Sequence, residues 1–121
     1  MDANRTALDT AADLPLEDLS TRLSGDVVTP TDPAYDDARR VWNGMVNAYP
    51  TAIAYCHSVG DVVASVSFAR DHGLDVSVRS GGHSVSGASV VSGSLVVDCS
   101  QMEWVRIDPD ERTARVAPGA T

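Results

Sequence analysis

The stretch that most limits the fold runs from residue 52 to residue 79. AIAYC, residues 52–56, is a short apolar run that reads as a buried strand. Leu74 and DVSVR, residues 75–79, give a second strand. Between them lies a helix whose start is written in its capping residues. Ser58 and Asp61 stand at capping-box spacing, with Asp in place of the usual Glu or Gln. Val62, Val63, Val66, Phe68 and Ala69 supply its apolar positions, and Gly73 ends it after His72. Strand, helix and strand in that order are the unit of α/β architecture.

The flanks add shorter elements. Residues 1–13 are polar and read as a frayed leader. Leu14 to Leu23 reads as a short amphipathic helix with Leu16, Leu19 and Leu23 on one face and Gly25 as its stop. Asp26–Val28 is a brief extended piece closed by the turn-rich TPTDP. Asp32 is placed to cap a helix that begins at Pro33 and continues to about Trp42. SLVVDC (94–99), WVRID (104–108) and TARVA (113–117) are further strands, the last two joined by the hairpin turn PDER.

The second strand runs directly into VRSGGHSVSG, residues 78–87. In α/β architecture ligands bind beyond the carboxyl ends of strands, where Ser80–Gly87 falls. Adjacent glycines, Gly81 and Gly82, can take positive φ and bring bare N–H groups against an anion. A phosphate or pyrophosphate suits such a loop, although paired glycines also mark plain flexible loops. Two rival motifs fail. Gly82-His83-Ser84-Val85-Ser86 nearly matches the GxSxG nucleophile elbow, but Ser86 replaces the second glycine and no histidine follows Ser84. A dinucleotide-binding GxGxxG fails because the glycines are adjacent and no helix pattern follows.

Charge and cysteine content narrow the partners. Net charge is −8, with 14 Asp and three Glu, and every basic side chain is Arg. Two sources for that bias stay open, a salt-adapted proteome and a GC-rich genome. Either way the field repels nucleic acid and anionic membranes, so neither is expected as a partner. Nothing in the sequence reaches the ~18 apolar residues of a membrane span. The first 15 residues lack basic, apolar and cleavable zones in series, which predicts a cytoplasmic protein. Cys56 and Cys99 show no metal-ligand spacing and read as ordinary half-buried thiols. His57 and His72 read as surface residues, and no metal site is expected.

At this point a family is visible. VRSGGHS, followed by LVVDCSQM and VRIDPDERTARVAPGAT, resembles the FAD-linked oxidases of the berberine-bridge-enzyme type, within the vanillyl-alcohol-oxidase superfamily. DPAYDDARRVWNGM, YPTAIAYC and DVVASVSFARDHGLDV are similar to the opening of the same family. The resemblance extends over residues 20–121.

It implies an α/β (α+β) fold, the N-terminal portion of a PCMH-type FAD-binding domain in which a strand–helix–strand unit precedes a glycine loop and further strands. Residues 1–45 are then a leader with short helices, and 46–121 the first part of the domain. The implied cofactor is FAD. Val78, Arg79, Ser80, Gly81, Gly82, His83 and Ser84 match the loop that wraps its pyrophosphate. His83 matches the histidine that in many members bonds covalently to the 8α-methyl of the isoalloxazine ring. Arg79 and Ser80 would support the loop or the phosphates, with Asp98 and the PGA turn at 118–120 as weaker candidates for lining the site. No catalytic residue is assigned.

The family's second flavin-attaching cysteine falls beyond Thr121, and Cys99 does not match it. The substrate domain is not represented either. The sequence therefore reads as a fragment, a split-gene product or a degenerate copy. The function expected is the FAD-binding part of a flavin-dependent oxidoreductase, an oxidase that removes hydride from a C–H beside O or N. It would be incomplete for catalysis alone and meet its small-molecule substrate only in a complete protein. The alternative is a nucleotide-binding or interaction module without turnover, completed by a second polypeptide.

Overall fold

A four-stranded sheet organises the chain, and a separate two-stranded hairpin follows it. The structure, a computed structural model, describes residues 2–84 and 86–121. In chain order the elements are α1 (Ala3–Ala12), α2 (Leu16–Arg22), β1 (Val27–Val28), α3 (Tyr35–Ala38), β2 (Ala52–Tyr55) and α4 (Val59–Asp71). Then come β3 (Val76–Arg79), β4 (Leu95–Asp98), β5 (Val105–Asp108) and β6 (Thr113–Val116). The sheet order is β1-β2-β4-β3. β2, β4 and β3 are mutually parallel, and β1 is antiparallel on the outer edge of β2. The α4 crossover thus leaves room for one strand between β2 and β3, and β4 fills it.

Burial explains that order. All four residues of β4 are buried, as are Ala52, Ile53 and Ala54 of β2. An apolar run with no polar alternation belongs in the middle of a sheet covered on both faces. On one face Ala52, Ala54 and Leu95 pack with Leu16, Leu19 and Leu23 of α2 and its end, and with Phe68 and Ala69 of α4. On the other, Ile53 and Val96 pack with Val28, Tyr35, Ala38 and Val90. β3 alternates instead, with Val76 and Val78 exposed and Ser77 and Arg79 buried. It is one edge of the sheet, and the two-residue β1 is the other.

Ser58 caps α4 as its position predicts, its Oγ accepting from the Asp61 N–H at 3.2 Å. The reciprocal half of the box is altered. The Asp61 carboxylate accepts from the His57 N–H at 2.9 Å and from the N–H and hydroxyl of Ser24 at 3.1 and 2.6 Å. One carboxylate therefore ties the start of α4 to the loop after α2. Burial works against its charge, but the hydrogen bonds from Ser24, His57 and Ser58 outweigh it and hold the carboxyl below its ordinary range.

Three expectations need correction. Met1 lies outside the described residues, and residues 3–12 are not frayed, because Ala3–Ala12 is a helix. Asp2 caps it through its side chain, and Ala7 is buried. Alanine's helix propensity and a good N-cap outweigh the polar composition. The helix expected from Pro33 to Trp42 is a single turn, Tyr35–Ala38. Asp32 turns the chain by accepting from the Ala34 N–H at 2.9 Å, one residue short of the helix. On α4, Val63 and Val66 face solvent, and the buried face is Asp61, Ser65, Phe68 and Ala69. The Asp61 anchor turns a polar stripe inward there.

Candidate functional site

Parallel register lines up three side chains at the carboxyl ends of the strands. Tyr55 of β2 pairs with Asp98 of β4, and Asp98 with Arg79 of β3. Such strand ends are where α/β sheets bind ligands. Arg79 and Asp98 form an ion pair with Nε 2.6 Å from Oδ2, both side chains being less than a tenth exposed. Nη1 of Arg79 also donates to the Arg40 carbonyl at 3.1 Å. The other oxygen of Asp98 accepts from the N–H and hydroxyl of Ser100 at 2.8 and 2.5 Å. Burial raises the Tyr55 phenol above its ordinary range, the Asp98 charge adds to this, and Arg79 opposes it. Tyr55 is therefore neutral at pH 7 beside a neutralised ion pair.

The chain leaving β3 forms the wall of a cleft of about 370 Å³ above this row. Arg79, Ser80, Gly81, Gly82 and His83 line it together with Tyr55, Asp98 and Ser100. Asp37, Ala38, Arg40, Val41 and Trp42 complete the lining. Gly82 is buried with φ +69°, a left-handed conformation in which a side chain is strained. Among the described residues no protein group accepts from the N–H of Ser80, Gly81 or Gly82. His83 is exposed at the rim.

Of the residues singled out in the sequence, Arg79 to His83 come together in the cleft. Val78 and Ser84 do not line it: Val78 lies on the exposed side of β3, and the Ser84 hydroxyl bonds to that of Ser86 at 3.1 Å. Asp98 sits at the floor; residues 118–120 do not line the cleft, although Gly119 packs tightly against the backbone of Cys99 and Ser100. Val85, inside the rejected nucleophile-elbow pattern, is outside the described residues. Tyr55, Trp42 and Ser100 carried no motif, and only strand register and chain reversal bring them in. Cys56 and Cys99 are fully rather than half buried. Burial pushes the Cys56 thiol up to about 11, so it is no nucleophile at neutral pH. His57 and His72 are exposed, and no cluster of metal ligands occurs among the described residues.

A buried cation already neutralised by its own aspartate leaves backbone N–H groups as the donors for an anion. The family model described as an FAD binding domain matches residues 50–121. The chain belongs to the FAD-binding domain family. Its cofactor is FAD. The chain is 41% identical over 103 residues to (R)-6-hydroxynicotine oxidase of Paenarthrobacter nicotinovorans, covering 84% of this chain and 22% of that protein. It is 37% identical to the FAD-linked oxidoreductase YvdP of Bacillus subtilis, over 83% of this chain and 23% of that one.

Solved structures agree on the fold. The crystal structure of 6-hydroxy-D-nicotine oxidase from Arthrobacter nicotinovorans superposes with a TM-score of 0.76 at 39% identity, covering 81% of this chain and 22% of the other. The berberine-bridge-enzyme-like protein 1 of Physcomitrella patens gives 0.77 at 26% identity, covering 84% and 22%. The α/β fold is thus that of the FAD-binding domain of PCMH-type oxidases. The chain spans about a fifth of the length of these relatives.

The cleft fits FAD on its own features. Its glycine loop offers N–H groups that no described protein group accepts, which suit a pyrophosphate, and its rim carries an imidazole and an indole, which suit a flat heteroaromatic ring.

Proposed function

We propose that this chain is the FAD-binding part of a flavin-dependent oxidoreductase of the berberine-bridge-enzyme type. The observation that carries the reading is the glycine loop at the carboxyl ends of parallel strands, with N–H groups of Ser80, Gly81 and Gly82 that no described protein group accepts. These N–H groups hold the pyrophosphate, and the missing Cβ atoms let it approach. Arg79 does not contact the phosphates. It is committed to Asp98 and the Arg40 carbonyl and holds the base of the loop. When bound, FAD supplies the oxidant that takes hydride from a C–H beside O or N.

His83 is the residue we assign to attaching the flavin covalently at its 8α position. Its rim position supports this, since a ring reaching the isoalloxazine must project past the phosphates rather than into the protein core. A neutral imidazole nitrogen is a competent nucleophile near pH 7. The new N–C bond would replace the imidazole N–H and one C–H of the 8-methyl. The two electrons would go to the flavin itself, and molecular oxygen would then reoxidise it. The reading assigns FAD binding to these residues and no substrate contact or catalytic base, since they span about a fifth of the length of the relatives they match.

The test is to load the chain with FAD, precipitate it with acid and map the flavin by peptide mass. The expected result is yellow protein with the flavin mass on the peptide containing His83, lost in His83→Ala. Free FAD alone in the supernatant would overturn the covalent link, and no flavin retention before precipitation would overturn the cofactor site itself.

A further inference from the structure

The segment between α3 and β2 has no regular structure, yet it touches the glycine loop repeatedly. The Arg40 carbonyl accepts from Arg79 at 3.1 Å, and the Trp42 N–H donates to the Gly82 carbonyl at 3.0 Å. A Cβ on Gly82 would lie 3.6 Å from Cγ1 of Val41. Five residues further along the loop, Gly87 has φ +80°, and a Cβ there would come within 3.0 Å of Val46. Val41 and Trp42 therefore meet Gly82, and Val46 meets Gly87, so the segment touches the loop at two points. Both glycines that the loop needs for its own backbone also sit where that segment packs.

Trp42 completes the contact. Its ring lies edge-on to His83, with centroids 6.1 Å apart and an interplanar angle of 77°. That is a favourable T-shaped aromatic geometry. The indole is nevertheless 76% exposed at the rim of the cleft. An open aromatic face beside a bound-cofactor site is where a flat ring system gains most by stacking. Arg40, Val41, Trp42 and Val46 lie upstream of residue 50, where the match to the FAD-binding family model begins.

We infer that residues 40–46 are a clamp on the FAD loop and that Trp42 is a positioning residue, holding the His83 imidazole toward the flavin and walling the cleft. The inference rests on the FAD reading above. It goes beyond that reading by giving a role to a segment that carries no cofactor motif. The glycine loop is shaped from two sides, by FAD and by this segment of the same chain.

The experiment uses the 121-residue chain with FAD as the probe, in the unsubstituted form and as Trp42→Phe and Trp42→Ala. Ring-proton NMR signals of the three histidines are assigned by substituting each in turn. In Trp42→Ala the His83 signals should move while those of His57 and His72 stay, because the indole ring current is lost. FAD affinity, read by flavin fluorescence anisotropy, should fall by about tenfold with an unchanged melting midpoint. Trp42→Phe should restore both toward the original values, since it keeps an aromatic edge. As an independent check, Gly87→Ala should weaken FAD binding, and Val46→Ala added to it should recover the part of the loss due to the clash, the part due to the positive φ remaining.

Unmoved His83 signals in Trp42→Ala would overturn the clamp. So would unchanged FAD affinity, or a loss of affinity accompanied by a lower melting midpoint. If the unsubstituted chain binds no FAD, the functional reading fails. The clamp is then decided by the His83 signals alone, and their failure to move would reject it.

Discussion

At the scale of single residues, Arg79 and Asp98 are the decisive pair. Removing one partner of a buried ion pair leaves an uncompensated charge, which costs about 3–5 kcal/mol. Arg79→Met should therefore lower stability by about that much in chemical denaturation, because Asp98 is left facing Tyr55 in a buried setting. Adding Asp98→Leu should recover most of the loss, since apolar replacement of both members is often neutral. FAD binding in the double variant separates the two roles. Affinity retained within a few-fold would show that Arg79 does not meet the phosphates, and a loss that leaves the salt dependence of FAD binding unchanged would assign the defect to loop shape rather than to a lost phosphate contact. Gly82→Val makes the companion case. A β-branched side chain at φ +69°, pressed against Arg79 and Val41, should cost at least ~1–2 kcal/mol and abolish FAD retention. Unchanged occupancy would remove the phosphate cradle.

At the scale of elements, the sequence was most legible where one interaction decides the outcome. The βαβ unit was readable from 52 to 79 because its apolar runs and its Ser58 cap are local signals. The hairpin was readable from its turn. Sheet order was not, because nothing in β4 itself says that it inserts between β2 and β3. Nor was the row of Tyr55, Asp98 and Arg79, which exists only through register. The glycine loop was legible from its motif, whereas Trp42 was hidden inside a segment read as helix. The single turn α3 ends at Ala38, and the chain that follows is held by Arg79 at Arg40 and by Gly82 at Trp42 rather than by its own helical bonds.

Asp61 gives this scale a pH test. Its folded carboxyl lies below its unfolded value, so its stabilising contribution is present above about pH 4. It is lost as the pH falls from there through the depressed folded value. Asp61→Asn should lower stability by about 1–3 kcal/mol at pH 7 and flatten the acid limb of the profile. Melting midpoints between neutral and acid pH measure both. An Asp61→Asn acid limb as steep as that of the original chain would place the sensitivity in another carboxyl.

At the scale of the whole molecule, burial is uneven. The sheet interior is closed, with Ile53, Leu95 and Val96 fully inaccessible. The hairpin is open on every residue of both strands, and Ile107 is 74% and Val116 55% exposed. Val59, Val63 and Val66 add an exposed apolar face on α4. Stability and solubility should therefore respond to different residues. Leu95→Ala deletes packing in the closed core and should cost about 2–5 kcal/mol. Ile107→Thr with Val116→Thr removes apolar surface that faces water, and should change stability by no more than about 0.5 kcal/mol for each substitution. Those two changes should instead reduce self-association, because open apolar strands are templates for pairing. Sedimentation velocity over a concentration series reads the second effect, and denaturant unfolding the first. A large stability loss from the hairpin pair would mean that its apolar residues are packed in solution, and an unchanged association profile would place the sticky surface elsewhere, with the α4 valines next to be replaced.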